Sequence, residues 1–271
     1  MNLQQSRIQL RPRKLAETFD LALRWCASIG GPLYLKLSVS LLLPAALGCY
    51  ALRVFADFEW ALVWLVAAGL AMFLQGPFTV AASRLMFEPE LTARSVLATF
   101  AKRFGAYLLA WVATRLVQAV GLLTILAWPW AWAYGAFVHE AILLEGQGGF
   151  AGIKRSGAFA AGQYGGILTM GVGMLAAHAV IVVAADQVGS VLLDFTLQIG
   201  RPFEALFEDG GSLTALLGFF IAVPYLASVR FLQYIDARTR RDGWDLQASF
   251  VRVLVADQAT REPQPQMGEV G

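Results

Sequence analysis

Apolar residues in this chain gather into six runs, near 32–52, 60–82, 105–123, 125–144, 165–188 and 213–235. Each is close to the roughly 20 residues that a helix needs to cross a hydrocarbon core about 30 Å thick. The third and fourth runs nearly touch. Gly121, Pro129 and the trio Trp128, Trp130 and Trp132 predict a tight turn there at headgroup level, because tryptophan favours the membrane interface. Between runs, the polar segments keep a helical period. Over 15–25, Leu15, Phe19, Ala22 and Leu23 fall on one face and Glu17, Asp20 and Arg24 on the other. Over 95–104, Val96, Leu97, Phe100 and Phe104 share a face, and 150–159 is a shorter third copy. Each copy leads through glycine into a span: Gly30 and Gly31, Gly105, and Gly162 to Gly166. The pattern predicts an all-α integral membrane domain over 1–255, with six transmembrane helices in three repeats of an interfacial amphipathic helix plus two spans. The tail 256–271, with Pro263 and Pro265, is expected to be flexible and cytoplasmic.

Composition agrees with this class. Of the 271 residues, 58% are hydrophobic and 15% charged, against about 45–50% and about 25% in an ordinary soluble domain. Mean hydropathy is +0.59. A net charge of +2 gives no reason to expect a nucleic-acid partner. Two cysteines make no disulfide framework, and Cys26 and Cys49 lie roughly 34 Å apart along a helix at about 1.5 Å per residue, so they are expected unpaired. Lys36 interrupts the first run and a long leader precedes it, which argues against a cleaved signal ending at Cys49.

Charge placement sets the expected orientation. With six crossings from a cytoplasmic N-terminus, only Arg53 and Arg201 fall outside and Arg115 lies within a span. The remaining 18 of the 21 Lys and Arg residues fall inside. The outer loops carry Asp57, Glu59, Asp194, Glu204, Glu208 and Asp209. This predicts a multi-pass protein of a bacterial inner membrane with both termini cytoplasmic.

Ionisable residues inside spans are the natural site candidates, since each costs about 2.5–3.5 kcal/mol to insert at a helix centre. They are Lys36, Arg115, His139, Glu140 and Arg230. Arg115 falls near the midplane, and Glu140 is the partner expected to neutralise it or Lys36. The alternative leaves Lys36 and Arg230 snorkelling to lipid phosphates. Pro77, Pro129 and Pro224 are expected as kinks well inside the second span of each unit, each followed by an acidic residue, Glu88, Glu145 and Asp236. Small residues at Gly165, Thr169, Gly173 and Ala177 predict a close helix approach within the bundle. His178 is expected as a packed or hydrogen-bonded residue rather than a ligand. No metal-ligand, P-loop or nucleophile-elbow motif occurs, so no catalytic, cofactor or metal site is expected.

Three stretches, 10–17, 141–146 with 154–156, and 230–246, make the chain resemble bacterial polytopic membrane proteins related to the membrane domain that precedes some glycerophosphodiester phosphodiesterases. Some relatives of this kind sit in gene neighbourhoods with MoxR-type ATPases. The resemblance implies a membrane partner of an assembly and assigns no site residue. The phosphodiesterase itself would need a soluble domain that this chain has no segment to supply. The expected function is a non-catalytic membrane scaffold or assembly subunit, touching the lipid bilayer and other membrane proteins or a second copy of itself. The rival is a transporter or channel for a small or amphiphilic solute, which discontinuous helices and polar side chains inside the bundle would favour.

Overall fold

A computed structural model describes residues 13–88, 90–124, 126–200 and 202–242. The expected tail at 256–271 lies outside the described residues, as do Arg7, Arg11, Arg201, Arg252 and Arg261. Among the described residues the chain is helical, with no strand. Five stretches are long and apolar enough to cross a membrane: Gly31–Ala56, Trp60–Leu85, Phe104–Leu123, Tyr164–Thr196 and Leu213–Arg241.

The first stretch is built from α2 (Gly31–Leu37) and α3 (Leu43–Ala56), joined by a π-helical turn, Ser38–Leu42. Pro44 has no N–H for the carbonyl of Ser40, and the wider turn absorbs that loss without breaking the rod. A second π turn, Trp25–Ile29, precedes Pro32 in the same way and joins α1 (Leu15–Arg24) to α2. Then come α4 (Trp60–Leu85), the short α5 (Ala93–Ala101) and α6 (Phe104–Leu123). The expected fourth span is discontinuous. It consists of α7 (Trp128–Tyr134) and α8 (Val138–Leu143), separated by Gly135–Phe137. Its pieces still retrace α6 in antiparallel register: Gly121 faces Ala131, Gly135 lies beside Thr114 and Gln118, Tyr107 meets His139, and Arg103 reaches the carbonyl of Ile142. α9 (Gly149–Ala160) and α10 (Tyr164–Ser190) follow, then a π turn Val191–Thr196 and the short α11 (Leu206–Asp209). The last of the described residues form α12 (Leu213–Ile221) and α13 (Val223–Asp242).

α12 and α13 together with α4 form the centre. In the apolar window of Leu213–Arg241, 72% of residues are buried, against 17% in Gly31–Ala56. α4 is enclosed nearly all round from Gln75 to Ala82. α1 lies across α13, with Phe19 against Tyr225 and Trp25 against Phe231. Its buried face is Thr18, Ala22 and Trp25 with Phe19 packed beside them, so that of the expected Leu15, Phe19, Ala22 and Leu23 only the two leucines fall outside it. Leu15 and Leu23 are exposed because the helix is rolled to set the small Thr18 and Ala22 against its neighbour. α5 buries Val96 and Phe100 as expected, whereas Phe104 opens α6 and is largely exposed.

The far end is held by a separate clamp. Arg53 pairs with Glu204 at 3.0 Å, Trp60 Nε1 donates to the same carboxylate at 3.0 Å, and Trp64 Nε1 donates to the carbonyl of Gly210 at 2.8 Å. α10 and α12 are joined at Asp186, whose Oδ1 accepts from the hydroxyls of Ser212 and Thr214. Their backbones approach closely at Gly218, where an added Cβ would sit 2.4 Å from the Ala185 Cβ and 3.2 Å from the Ile181 carbonyl oxygen. This joint is not the predicted small-residue stripe. Gly165 and Thr169 are exposed, and of the stripe's two glycines Gly173 meets a neighbour closely, at Phe19, while Gly165 does not.

Gly218→Leu should therefore lower thermal stability in detergent, at about 1–3 kcal/mol for overpacking. Gly48→Leu, on the exposed side of α3 with nothing within 4 Å of the new Cβ, should be neutral or stabilising. Equal melting of both variants would contradict this packing.

Candidate functional site: the polar core of the bundle

α6 presents an inward stripe of Tyr107, Ala110, Thr114, Gln118 and Gly121, while Leu116, Val117 and Val120 face outward. Its interior is thus more polar than its exterior, the arrangement expected where lipid replaces water. Opposite it, α4 carries Gln75, Gly76 and Pro77 in succession. Pro77 removes the donor that would bond the carbonyl of Phe73 four residues earlier. The Tyr107 hydroxyl supplies it, donating to the Phe73 oxygen at 2.9 Å. Gly76 makes this approach possible, since a Cβ there would lie 2.7 Å from Phe100 and 2.9 Å from the Tyr107 ring. A hydroxyl has one proton, so with that proton on Phe73 the Tyr107 oxygen accepts from His139 Nδ1, 3.1 Å away. His139 then carries its hydrogen on Nδ1, and Nε2 is a bare acceptor, buried and with no partner among the described residues.

The adjacent Glu140 is fully buried. Its Oε2 lies 3.3 Å from Arg230 Nη2. The same guanidinium donates to the Ala136 carbonyl at 2.5 Å and to Gln75 Oε1 at 3.0 Å. Arg230 of α13 therefore joins α4 to the break between α7 and α8. Glu140 Oε1 has no partner among the described residues.

Three expectations are corrected by this geometry. Arg115 does not pair with Glu140: its Nη1 donates to Gln118 Oε1 at 2.5 Å and lies 3.0 Å from Met72 Sδ. Helix register explains this, because Tyr107 is level with His139 and Arg115 lies two turns beyond, about 12 Å at about 1.5 Å per residue. Arg230 does not snorkel outward, having the buried carboxylate within reach. Lys36 joins no cluster and is exposed on α2, as snorkelling requires. Pro77 sits inside α4 and Pro224 lies within the Leu213–Arg241 span, where the rod breaks at Ala222 between α12 and α13, whereas Pro129 opens α7 rather than kinking a continuous helix. His178 Nε2 bonds the Phe219 carbonyl at 3.0 Å, and as that oxygen can only accept, His178 is the donor.

The three acidic residues at the helix ends each hold a neighbouring segment. Glu88 takes Arg84 at 2.7 Å, and Arg84 Nη1 also reaches Ser95 and Thr99 of α5. The Arg84 guanidinium holds the Glu88 carboxyl below the usual carboxylate range, so this pairing is present above that range and is lost as pH falls. Glu145 takes Arg155 of α9 at 2.9 Å and the Tyr234 hydroxyl at 2.6 Å. Asp236 takes Arg240 at 2.8 Å and the main-chain N–H of Arg13, just ahead of α1, at 2.7 Å.

Gln75, Tyr107 and Gln118 were not among the sequence candidates, which were chosen by charge. A glutamine three residues after an intramembrane arginine, and one two residues before an intrahelical proline, were the available signals. Among the described residues no three His, Cys, Asp or Glu side chains gather as a metal site would require. Comparison with family models, curated proteins and solved structures finds no match to this chain.

Arg230→Leu or Glu140→Leu alone should cost about 3–5 kcal/mol, by leaving one buried charge, and the double variant should be more stable than either. Arg115→Leu should add independently to Glu140→Leu. Thermal melts in detergent check both, and coupling of Arg115 rather than Arg230 to Glu140 would refute the assignment.

Proposed function

We propose that this protein is a non-catalytic integral membrane scaffold or assembly subunit of a bacterial inner membrane, with six crossings and both termini cytoplasmic. α7 and α8 form a discontinuous fourth crossing on this reading, supported by their register along the whole of α6. The three units are α1, α5 and α9, each followed by two crossings. One observation carries the proposal. Each short helix is tied to the same end of the bundle through Arg84, Glu145 or Asp236, while Lys14, Arg24, Arg94, Lys102 and Lys154 point outward. The buried charges, by contrast, are answered largely within the chain. The outward cations are therefore the chemistry offered to a partner, and an acidic membrane or peripheral protein is the class that fits. This is consistent with the membrane-assembly role that the resemblance implies.

The rival reading, passage of a small or amphiphilic solute, is favoured by the break at Gly135–Phe137 beside the unpartnered atoms of His139 and Glu140. Purification in mild detergent separates the two. The scaffold reading predicts a stoichiometric protein partner that Arg94→Glu with Lys102→Glu releases while the amount of folded protein holds. A bound solute, lost on Glu140→Gln and with no protein partner, would overturn it.

A further inference from the structure

A cavity of about 580 Å³ lies where the end of α5 and the start of α6 meet the loop between α8 and α9. Lys102, Arg103 and Gly105 line one side, and Gly146, Gln147 and Gly148 the other. Both segments lie inside continuous described stretches, 90–124 and 126–200. Arg103 is held in place, since its Nη1 donates to the Ile142 carbonyl at 3.1 Å and its guanidinium lies over Gly146, where a Cβ would sit 2.3 Å from that nitrogen. Glycine at 146 allows both this approach and a φ of +75°. Among the described residues the lining holds no carboxylate, and neither Lys102 nor Arg103 has an ion pair. The acidic residues nearest in sequence are engaged elsewhere, Glu145 by Arg155 and Tyr234, and Glu88 by Arg84. The charge of the two side chains is thus left to the cavity. Two helix starts add to it: α6, of 20 residues, and α9, of 12, both begin at its edge, and neither has a side-chain cap for its first N–H groups.

We propose that this cavity binds the phosphate of an anionic phospholipid headgroup. The inference goes beyond the scaffold reading and rests only on α6 crossing a membrane. α6 is one of the long apolar helices, so its first turn lies at headgroup depth, where basic pockets beside spanning helices take anionic lipids. The volume falls within the range of about 300–1,000 Å³ usual for ligand sites. Leu108, Leu109 and Phe150 are exposed beside the cavity and offer acyl chains a surface, and Leu109 packs on Gly149 at the start of α9. Free phosphate gains nothing from that apolar flank. A choline headgroup would bring its own cation up to Lys102 and Arg103, which favours a lipid with net negative charge.

Native mass spectrometry of the full-length protein in mild detergent, titrated with phosphatidylglycerol, phosphatidylcholine or inorganic phosphate, tests this. The wild type should retain one phosphatidylglycerol in preference to phosphatidylcholine, and millimolar phosphate should not displace it. Lys102→Gln, at an exposed position, should weaken retention about fivefold, the effect of one basic residue near the surface, and Lys102→Arg should restore it. Gly148→Asp is the sharper variant. Gly148 precedes α9 with φ −65° and ψ 162°, and an added Cβ there meets nothing within 4 Å, so aspartate fits without strain and caps the helix. Its carboxylate then takes the α9 amides and opposes the phosphate, so retention should be abolished while the melting temperature holds or rises. Unchanged retention in Gly148→Asp or in Lys102→Gln, equal binding of phosphatidylcholine, or displacement by phosphate would overturn the proposal.

Discussion

A proline placed inside an enclosed helix creates a debt that lipid cannot meet. At Pro77 the carbonyl of Phe73 loses its helical donor in a part of the bundle where unsatisfied backbone groups cost several kcal/mol. The Tyr107 hydroxyl donates to it from the neighbouring α6, and most of the interior follows from that one bond. It sets the height of α6 against α4, it requires glycine at position 76, and it commits the tyrosine oxygen to accepting from His139. His139 in turn sets the rotation of α8, and the next residue, Glu140, is thereby presented to Arg230.

The consequence is a core specified by directional bonds rather than by apolar packing alone. Helices immersed in lipid gain little from burying leucine against leucine, so small residues and polar contacts decide which neighbours they choose. The Arg230 to Glu140 pair is best understood in those terms. Buried ion pairs contribute little net stability and much to uniqueness of arrangement, and this guanidinium touches α4, α13 and the α7 to α8 break together. The two ends are governed by other means. One is fastened by Arg53, Trp60 and Glu204, the other by three carboxylates that each hold a short helix.

The apolar runs made the helical membrane class and the approximate positions of five long helices legible, because span length is dictated by bilayer thickness. The faces of 95–104 were legible too, from Val96 and Phe100. What failed was partner choice. Glu140 was paired with Arg115 as the only carboxylate within the hairpin of the third and fourth runs, but residues on antiparallel helices meet by height, and height is fixed by Tyr107 and His139. The fourth run hid a break because Ala136 and Phe137 are as apolar as a continuous helix, while the signals that end α7, Gly135 and the carbonyl taken by Arg230, depend on a residue about ninety positions away. Pro129 looks like Pro77 and Pro224 in sequence; only its place at the start of α7 distinguishes it. On α1, Phe19 and Ala22 were placed correctly and Leu15 and Leu23 were not, because lipid, like protein, accepts leucine and hydrophobicity alone does not separate a leucine facing out from one facing in.

The most direct measurement is a thermodynamic cycle between Tyr107→Phe and Pro77→Ala, read as thermal stability in detergent. With Pro77 present, removing the hydroxyl strands the Phe73 carbonyl and should cost about 1–3 kcal/mol. With alanine at 77 the helix supplies its own N–H to that carbonyl, and the same removal should cost about 1 kcal/mol less. A loss from Tyr107→Phe that is the same in both backgrounds would contradict the claim that the tyrosine answers the proline.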